Sequence, residues 1–254
     1  MTSIQRYTCS ATLIGLCLAT SNGAYAQVGS INSAKYNPRE YNDVSGATIT
    51  TVSNYPSLIS FNEVGVSQAS GFANRDVWRF SNNGGTSAYQ FQNNDYFKVS
   101  MTVTLTGSPI SPRKEAGFLF DTLGGQGQFI VNTDGHEVVA FGGPLPFFAF
   151  PSTFNSGDTI TLGMTYFKDG NGLNAIVYSA NGVYSPVKEF SNLEQGIING
   201  STLGGYFQIQ NAPNNSLNSG SAVFGNIGIT VPEPGTFALV GMGLFGLLAV
   251  RRKR

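Results

Sequence analysis

Cysteine is nearly absent from this chain of 254 residues. Its two cysteines, Cys9 and Cys17, both lie in an apolar segment at the N-terminus. Without that segment the chain can form no disulfide, and it offers no thiolate as a metal ligand or as a nucleophile. Its stability must then come from the burial of apolar side chains in a core.

Histidine is just as scarce, and its scarcity excludes several kinds of site. His136 is the only histidine, so a zinc centre built from several histidines or cysteines is excluded. A Ser-His-Asp arrangement would have to use His136, and the sequence has no G-x-S-x-G motif. Residues 132–137 have the composition of a hairpin turn, which favours a structural role for this histidine.

Charged residues make up only 11% of the chain. A two-carboxylate glycosidase needs its acids about 5–9 Å apart. Glu115 and Asp121 bound one predicted strand and lie roughly 20 Å apart along it. The E-x-D-x-x-E motif of jelly-roll glucanases is absent. We therefore expect no catalytic residue and a protein that is not an enzyme.

The first 26 residues have the features of a secretory signal peptide. Arg6 is the only charge among the first 34 residues, an apolar run follows it, and Ala24-Tyr25-Ala26 precedes Gln27. A basic start, an apolar centre and an A-x-A site are typical of such a peptide. The sequence predicts cleavage between Ala26 and Gln27 and export of the remainder.

The end of the chain contains three parts in a fixed order. Pro232, Glu233 and Pro234 come first, and an uncharged, largely apolar stretch over 236–250 follows. The chain ends with Arg251, Arg252, Lys253 and Arg254. Fifteen residues span about 22 Å as a helix, and a terminal cationic cluster stays on the cytoplasmic side of a membrane. We predict a membrane helix over 236–250 with a basic stop behind it.

This tail resembles the PEP-CTERM sorting signal, in which a Pro-Glu-Pro motif, a short membrane span and a basic terminus follow one another. In that family the tail is the recognition site of an exosortase, a membrane protease that removes it. The resemblance implies an exosortase as partner, transient anchoring in the inner membrane, and release to the cell surface or the extracellular matrix. The chain then divides into a signal peptide (1–26), an exported domain (27–231) and a sorting signal (232–254).

The exported domain is predicted to be all-β. Apolar and polar residues alternate over 97–105 and 159–166, as in strands with one buried face. Turns such as Asp134-Gly135 and Asn181-Gly182 separate such segments. Further strands are predicted over 47–52, 72–80, 88–92, 115–121, 127–131, 137–141, 173–179, 203–210 and 221–230, with 27–45 as a loosely packed lead-in. This pattern predicts one antiparallel β-sandwich of two sheets.

Four segments of the domain resemble the concanavalin-like and laminin-G-like jelly rolls of secreted bacterial proteins. They are KEAGFLF at 114–120, GQFIVNTDGHEVVAFGG at 127–143, DTITLGMTYFKDGNGLNAIVYSANG at 158–182 and GSAVFGNIGI at 220–229. The resemblance implies a jelly-roll-like sandwich. Lectins and glucanases share that fold, so the fold alone does not decide the function.

No cofactor is expected, and calcium is the one metal left open. Asp134, Asp169 and Asn171 offer loop oxygens of the kind that calcium binds. Each of them also fits a turn through local hydrogen bonds, and no D-x-D-x-D-G loop is present.

Two aromatic features bear on binding. The segment 141–151 contains four phenylalanines and three prolines. We expect it to close one end of the sandwich as a hydrophobic flap, with an exposed binding loop as the alternative. Trp78, the only tryptophan, is expected to anchor the core rather than to contact a ligand.

Three classes of function are consistent with these features. The mature chain would keep nine of its fourteen Lys and Arg while retaining its acids, and such a surface does not suit nucleic acid. The main prediction is an exported surface or matrix protein without catalysis. The alternatives are a carbohydrate-binding module associated with exopolysaccharide and a glycan hydrolase. A binding module would show an open groove lined by residues such as Trp78, Tyr89, Tyr166 and Tyr178.

Replacing Pro232, Glu233 and Pro234 together by alanine tests the sorting signal. Export should continue, because the signal peptide is unchanged, but the full-length protein should accumulate in the inner membrane through residues 236–250. Membrane fractionation and immunoblotting measure this. Appearance of the tail-cleaved variant in the medium would contradict the role of the motif.

Overall fold

The computed structural model describes residues 31–92, 95–191, 193–195 and 198–230. These residues form two antiparallel sheets with an apolar core between them, which confirms the predicted β-sandwich. They contain no helix, and hence none that could cross a membrane. The predicted signal peptide and the predicted membrane helix lie outside the described residues.

Sheet A has seven strands. They are β1 (Ser33–Asn42), β4 (Ala73–Ser81), β6 (Lys114–Thr122), β7 (Gly125–Asn132), β8 (Val138–Phe141), β9 (Phe148–Ala149) and β14 (Thr202–Gln210). Their spatial order is β1-β4-β14-β6-β7-β8-β9. The long strands β4, β14, β6 and β7 therefore form the middle of this sheet.

Sheet B has eight strands. They are β2 (Thr48–Asn54), β3 (Leu58–Val64), β5 (Phe97–Ser108), β10 (Thr159–Lys168), β11 (Asn174–Ala180), β12 (Val183–Tyr184), β13 (Lys188–Glu189) and β15 (Ser219–Thr230). Seven of them follow the order β12-β11-β10-β5-β15-β3-β2, and β13 pairs with β11. Asn181 and Gly182, at φ angles of 48° and 80°, form the predicted tight turn between β11 and β12.

Alternate residues of the strands fill the space between the sheets. In β5 the buried side chains are those of Phe97, Val99, Met101, Val103 and Leu105. Trp78 of sheet A contacts Phe224 of sheet B, with 6.0 Å between the ring centroids. Trp78 is fully buried, so it is the core anchor that the sequence predicts.

The prediction of a loose lead-in over 27–45 is wrong for residues 33–42. These residues form β1, which pairs with β4 from Ser33 opposite Ser81 to Asn42 opposite Asn74. The register shifts between Asn37 and Tyr41. This irregularity breaks the alternation by which a strand is recognised in a sequence.

One further predicted strand is wrong, and one strand of sheet B was not predicted. The segment 88–92 contributes only an isolated bridge between Phe91 and Ser201. Strand β3 was not predicted, because one of its core-facing positions is occupied by a charged residue, Glu63, after Ile59 and Phe61.

A buried polar cluster joins the two sheets beside the irregularity of β1. Arg39, at a φ of 55°, bonds Glu63 of sheet B through Nε at 3.2 Å. Its backbone N–H donates to Asp76 of sheet A at 2.7 Å. Asn74 of sheet A donates to Glu63 at 3.0 Å. The side chains of Glu63, Asn74 and Asp76 are fully buried, so their hydrogen bonds offset part of the cost of removing them from water.

Protonation of this cluster should make stability depend on pH. Burial raises the pKa of Asp76 to about 7 from 3.8, and it also raises the pKa of Glu63. Between pH 3.8 and about pH 7, Asp76 keeps its proton in the folded chain, whereas it has released that proton in the unfolded chain. The free energy of unfolding should therefore fall as the pH rises from 3.8 to about 7.

Denaturant unfolding at several pH values tests this prediction with Asp76→Asn, which keeps the neutral form at every pH. The fall in stability across that range should become smaller in this variant. Asp158→Asn, the same change at an exposed position, is the matched control and should keep the slope of the parent protein. An unchanged slope in Asp76→Asn would contradict the assignment.

Candidate functional site

Strands β4, β14, β6 and β7 present alternate residues on the face of sheet A that points away from the core, here called the outer face of sheet A. Their register aligns these residues in rows across the sheet. In one row Arg75 lies opposite Gln208, and Gln208 lies opposite Glu115. In the next row Val77, Tyr206, Gly117 and Ile130 follow one another.

A small apolar cluster lies on this outer face, separate from the main core. Its members, all buried, are Val77, Leu119, Ile130, Val139 and Tyr206. A surface row of apolar residues stays buried only when other side chains lie over it. The Arg75 side chain lies over Tyr206, with its guanidinium carbon 5.4 Å from the centroid of the tyrosine ring.

Polar side chains extend across the face from Arg75. Arg75 Nε donates to Gln208 Oε1 at 2.9 Å, and its Nη1 donates to Gln126 Oε1 at 2.7 Å. Each glutamine then uses its amide N–H as a donor, Gln208 to Glu115 at 2.9 Å and Gln126 to Asp121 at 2.7 Å. Both amides are thereby oriented with their oxygen atoms toward Arg75.

The three arginines at this face differ in the charge of their partners. Arg79 pairs with Glu40 at 2.7 Å and with Asp121. Arg113 lies within 4 Å of three acids, Glu115 at 2.9 Å, Glu137 at 3.5 Å and Asp134 at 3.7 Å.

Arg75 is the exception among them. Within the described part of the chain, no carboxylate lies within salt-bridge distance of its guanidinium, and its hydrogen-bond partners are neutral amides. Its positive charge is therefore available to an anion from outside the protein.

A surface pocket of about 330 Å³ opens beside this guanidinium, here called the Arg75 pocket. It is lined by Glu40, Tyr41, Phe72, Arg75, Gln126 and Gln208. Two of its aromatic side chains reach solvent, Tyr41 with 42% and Phe72 with 54% exposure. The N–H of Phe72 donates to the Asp43 carboxylate at 2.9 Å, and this bond lowers the pKa of Asp43. The pocket thus combines a cation, two amides and two exposed rings with one carboxylate, that of Glu40, which is paired with Arg79.

Tyr206 lies beneath this polar layer and is fully buried. Its hydroxyl has no hydrogen-bond partner among the described residues. The pKa of Tyr206 is raised well above the ordinary value of 10.0, mainly by burial and secondly by the negative charge of Glu115. The phenol therefore keeps its proton at neutral pH and can donate a hydrogen bond.

The acids considered from the sequence lie on this face but not as a pair. Glu115 and Asp121 both belong to β6 and are separated by two outward positions, at Gly117 and Leu119. Glu115 is bound by Arg113 and Gln208, and Asp121 is bound by Arg79 and Gln126. His136 lies in the loop after β7, where its Nδ1 is 2.9 Å from the carbonyl oxygen of Phe154.

The calcium candidates take part in local hydrogen bonds. Asp169 accepts from the N–H groups of Asn171 at 2.9 Å and Leu173 at 2.8 Å, as in an Asx turn. Asp134 is in a different loop, beside Arg113. Among the described residues no group of three His, Cys, Asp or Glu side chains could hold a metal ion. The absence of a cofactor stays a prediction, with calcium left open.

The aromatic groove that a carbohydrate-binding module would show is not formed by the residues considered for it. Trp78, Tyr89, Tyr166 and Tyr178 are all buried in the core. In the segment 141–151 Leu145, Phe148 and Phe150 pack against the core, and Phe150 stacks on Phe129 at 5.8 Å between ring centroids. This packing agrees with the predicted flap, although Phe147 is 67% exposed.

The residues of the Arg75 pocket were missed at the sequence level. One signal was available, because Arg75 and Arg79 are four positions apart in a strand and so share a face. Tyr41 and Phe72 gave no signal. Tyr41 follows the irregularity of β1, and Phe72 immediately precedes β4.

Comparison with known proteins matches residues 230–254 to the PEP-CTERM protein-sorting motif. This match confirms the sorting signal, and with it export, transient membrane anchoring and release to the cell surface. It also implies processing by an exosortase. No match was found among curated proteins.

Solved structures with a similar fold include several alginate lyases. The alginate lyase PA1167 from Pseudomonas aeruginosa is 14% identical, with a TM-score of 0.54, and the match covers 72% of this chain and 86% of that one. Alginate lyase A1-II′, a member of polysaccharide lyase family 7, is 11% identical with a TM-score of 0.52, and the match covers 79% and 95%. A complex of an A1-II′ variant with product gives 10% identity and a TM-score of 0.50. At such identities the similarity shows the fold alone, and it agrees with the jelly-roll resemblance.

The comparison corrects the prediction of a non-catalytic surface protein, because the solved structures that share the fold include alginate lyases. The prediction failed because it looked for the two carboxylates of a hydrolase or for a Ser-His-Asp arrangement. A lyase cleaves by elimination and requires neither of these.

Proposed function

We propose that the exported domain acts on an acidic polysaccharide, which it binds at the Arg75 pocket through the carboxylate groups of uronate residues. The observation that carries this proposal is the guanidinium of Arg75, which is held by two neutral amides and has no acidic partner among the described residues. The sorting motif supports delivery of the domain to the cell surface. We expect exopolysaccharide to be the polymer that it meets there.

A carboxylate suits this guanidinium in both charge and geometry. Arginine presents planar N–H donors that can bind the two oxygens of a carboxylate at once. Gln126 and Gln208 hold the guanidinium in position, so little side-chain entropy is lost when the ligand binds. A uronate can take over the hydrogen bond that Arg75 now donates to Gln126 and leave the amide free to bond a sugar hydroxyl.

The exposed rings suit the rest of the sugar. The C–H groups of a pyranose ring form an apolar patch that packs against aromatic side chains, and Tyr41 and Phe72 offer such surfaces at the pocket. A volume of about 330 Å³ lies at the small end of the range of ligand sites. It therefore suits one or two sugar residues of a longer chain.

The solved structures of similar fold include alginate lyases, and alginate is a polymer of uronates. Alginate is therefore the first polymer to test. Its carboxylates supply the charge that Arg75 would bind, and the neutral polymer dextran provides a comparison without that charge.

Arg75→Gln removes the charge and keeps a side chain with hydrogen-bonding groups. We expect it to weaken binding of alginate oligosaccharides about tenfold or more, since a hydrogen bond to a charged group contributes about 1.5–3 kcal/mol. Isothermal titration calorimetry measures the dissociation constant. Lys98→Gln, on sheet B, removes one positive charge elsewhere and is the matched control. Equal losses in both variants would show that only net charge matters and would contradict the pocket.

Eliminative cleavage is the second candidate function, favoured by the buried neutral hydroxyl of Tyr206 under Arg75. In this reaction the proton on C5 of the uronate is removed, the C4–O bond breaks, and a C4=C5 double bond forms. Arg75 would neutralise the carboxylate that makes this proton acidic. Glu115, whose charge acts on Tyr206, would accept the proton. Tyr206 would donate one to the leaving oxygen, which requires the Arg75 side chain to move off the tyrosine ring when the substrate binds.

Ultraviolet absorbance of the new double bond tests this candidate on alginate. Tyr206→Phe should abolish the absorbance increase while leaving oligosaccharide binding within about twofold, because the lost hydroxyl has no partner in the fold. Tyr184→Phe, at an exposed position, should keep the parent rate. An absence of product with the parent protein would reject cleavage of alginate, and an unchanged rate in Tyr206→Phe would reject the assigned donor.

A further inference from the structure

The face of sheet B that points away from the core has an unusual composition. Its residues come from β2, β3, β5, β10 and β15, and most of them carry a hydroxyl or an amide. These polar residues are Thr48, Thr50, Ser60, Asn62, Ser100, Thr102, Thr104, Thr106, Ser108, Thr159, Thr161, Thr165, Ser219, Ser221 and Thr230. Among the outward positions of these five strands, Lys98 is the only charged residue. We call this surface the hydroxyl face.

The register of the strands arranges these groups as a two-dimensional array. Thr159 lies opposite Thr104, and their hydroxyl oxygens are 2.6 Å apart. In the neighbouring row Thr106 lies opposite Ser221, again with 2.6 Å between hydroxyl oxygens, and Ser221 lies opposite Asn62. In the row of Thr106, Ser221, Asn62 and Thr50, donors and acceptors therefore repeat about every 4.8 Å across the strands, and along β5 they repeat about every 7 Å. Val223 and Gly225 interrupt the neighbouring rows.

A shallow pocket of about 150 Å³ interrupts this array. It is lined only by small uncharged residues, namely Asn62, Thr106, Gly107, Ser108, Ser219 and Gly220. The two glycines lie opposite each other in β5 and β15. A Cβ at either of them would come within about 3.0 Å of the Lys114 side chain, which packs on the core side of the sheet. Glycine at both positions therefore lets Lys114 pack closely beneath the pocket.

We propose that the hydroxyl face is a second carbohydrate-binding surface, which takes a neutral, hydroxyl-rich polysaccharide and seats one sugar ring in the pocket between Asn62 and Ser219. This inference rests on sheet B alone and does not depend on the proposed function of the Arg75 pocket. The occupant follows from the charge of the surface, since an array with Lys98 as its single cation offers little to attract a polyanion.

Hydrogen bonding supports the same occupant. Serine, threonine and asparagine each donate and accept, as sugar hydroxyls do, so the array can exchange its bonds with water for bonds with the polymer. Each exchange contributes little, and retention comes from many contacts along a repeating chain. The two outer faces would then bind polymers of opposite character, an acidic one on sheet A and a neutral one on sheet B.

Affinity electrophoresis of the full chain in gels that contain hydroxyethylcellulose, dextran or alginate tests the proposal. The parent protein should be retarded by at least one of the two neutral polymers. Thr106→Glu places a charge in the middle of the hydroxyl face and should reduce this retardation about tenfold. Asn62→Ala removes the amide at the pocket and should reduce it about threefold with little risk to the fold, since Asn62 is exposed.

Two controls separate this surface from the rest of the molecule. Val183→Glu adds the same charge at an exposed position outside the hydroxyl face and should leave the retardation unchanged. Arg75→Gln should also leave it unchanged while reducing the retardation by alginate. If Arg75→Gln also lost its retardation by the neutral polymers, both ligands would bind on sheet A, and the proposal would be overturned. This outcome does not depend on whether the Arg75 pocket binds alginate.

Three further results would overturn the proposal. One is that neither neutral polymer retards the parent protein. Another is that Asn62→Ala and Thr106→Glu both show the same retardation as the parent. A dimer in sedimentation analysis that Thr106→Glu converts to a monomer would show that the face binds a second copy of the chain. If Thr106→Glu fails to fold, as judged by circular dichroism, Asn62→Ala decides the question.

Discussion

The register between β4 and β14 controls what the outer face of sheet A can bind. It places Gln208 directly opposite Arg75, and β6 then places Glu115 on the far side of Gln208. A shift of β4 by one residue would turn Arg75 into the core and bring Trp78 to the outer face. Gly204 helps to hold this register, because a Cβ at that position would overlap the carbonyl oxygen of Trp78. The close approach of the two strands thus depends on a residue without a side chain.

The same register distributes the charges unevenly over the face. Arg79 and Arg113 are neutralised by nearby carboxylates, so their hydrogen bonds support the structure of the sheet. Arg75 is bound by amides, which fix its position without cancelling its charge. The pocket is therefore preorganised for an anion before any ligand arrives. Sheet B has the opposite character, because its outer face carries hydroxyl groups and almost no charge.

The sequence was sufficient for the fold class and for most of the long strands, because alternation marks a strand that has one buried face. Along β5 every second residue from Phe97 to Leu105 is buried, as the pattern predicts. Alternation failed where the chain is irregular, as in β1 with its shift after Asn37, or where a charged residue faces the core, as Glu63 does. Glu63 is tolerated in the core because Arg39 and Asn74 both donate hydrogen bonds to its carboxylate, and these bonds join the two sheets.

The site could not be predicted in the same way. Arg75 and Gln208 are 133 positions apart, and only the folded sheet brings them together. The most direct test of uronate binding at the Arg75 pocket is a crystal structure of the exported protein with a uronate oligosaccharide. We expect a sugar carboxylate about 3 Å from the Arg75 guanidinium, with a ring against Tyr41 or Phe72. An oligosaccharide bound elsewhere, with the bond between Arg75 and Gln126 intact, would contradict the assignment of this pocket.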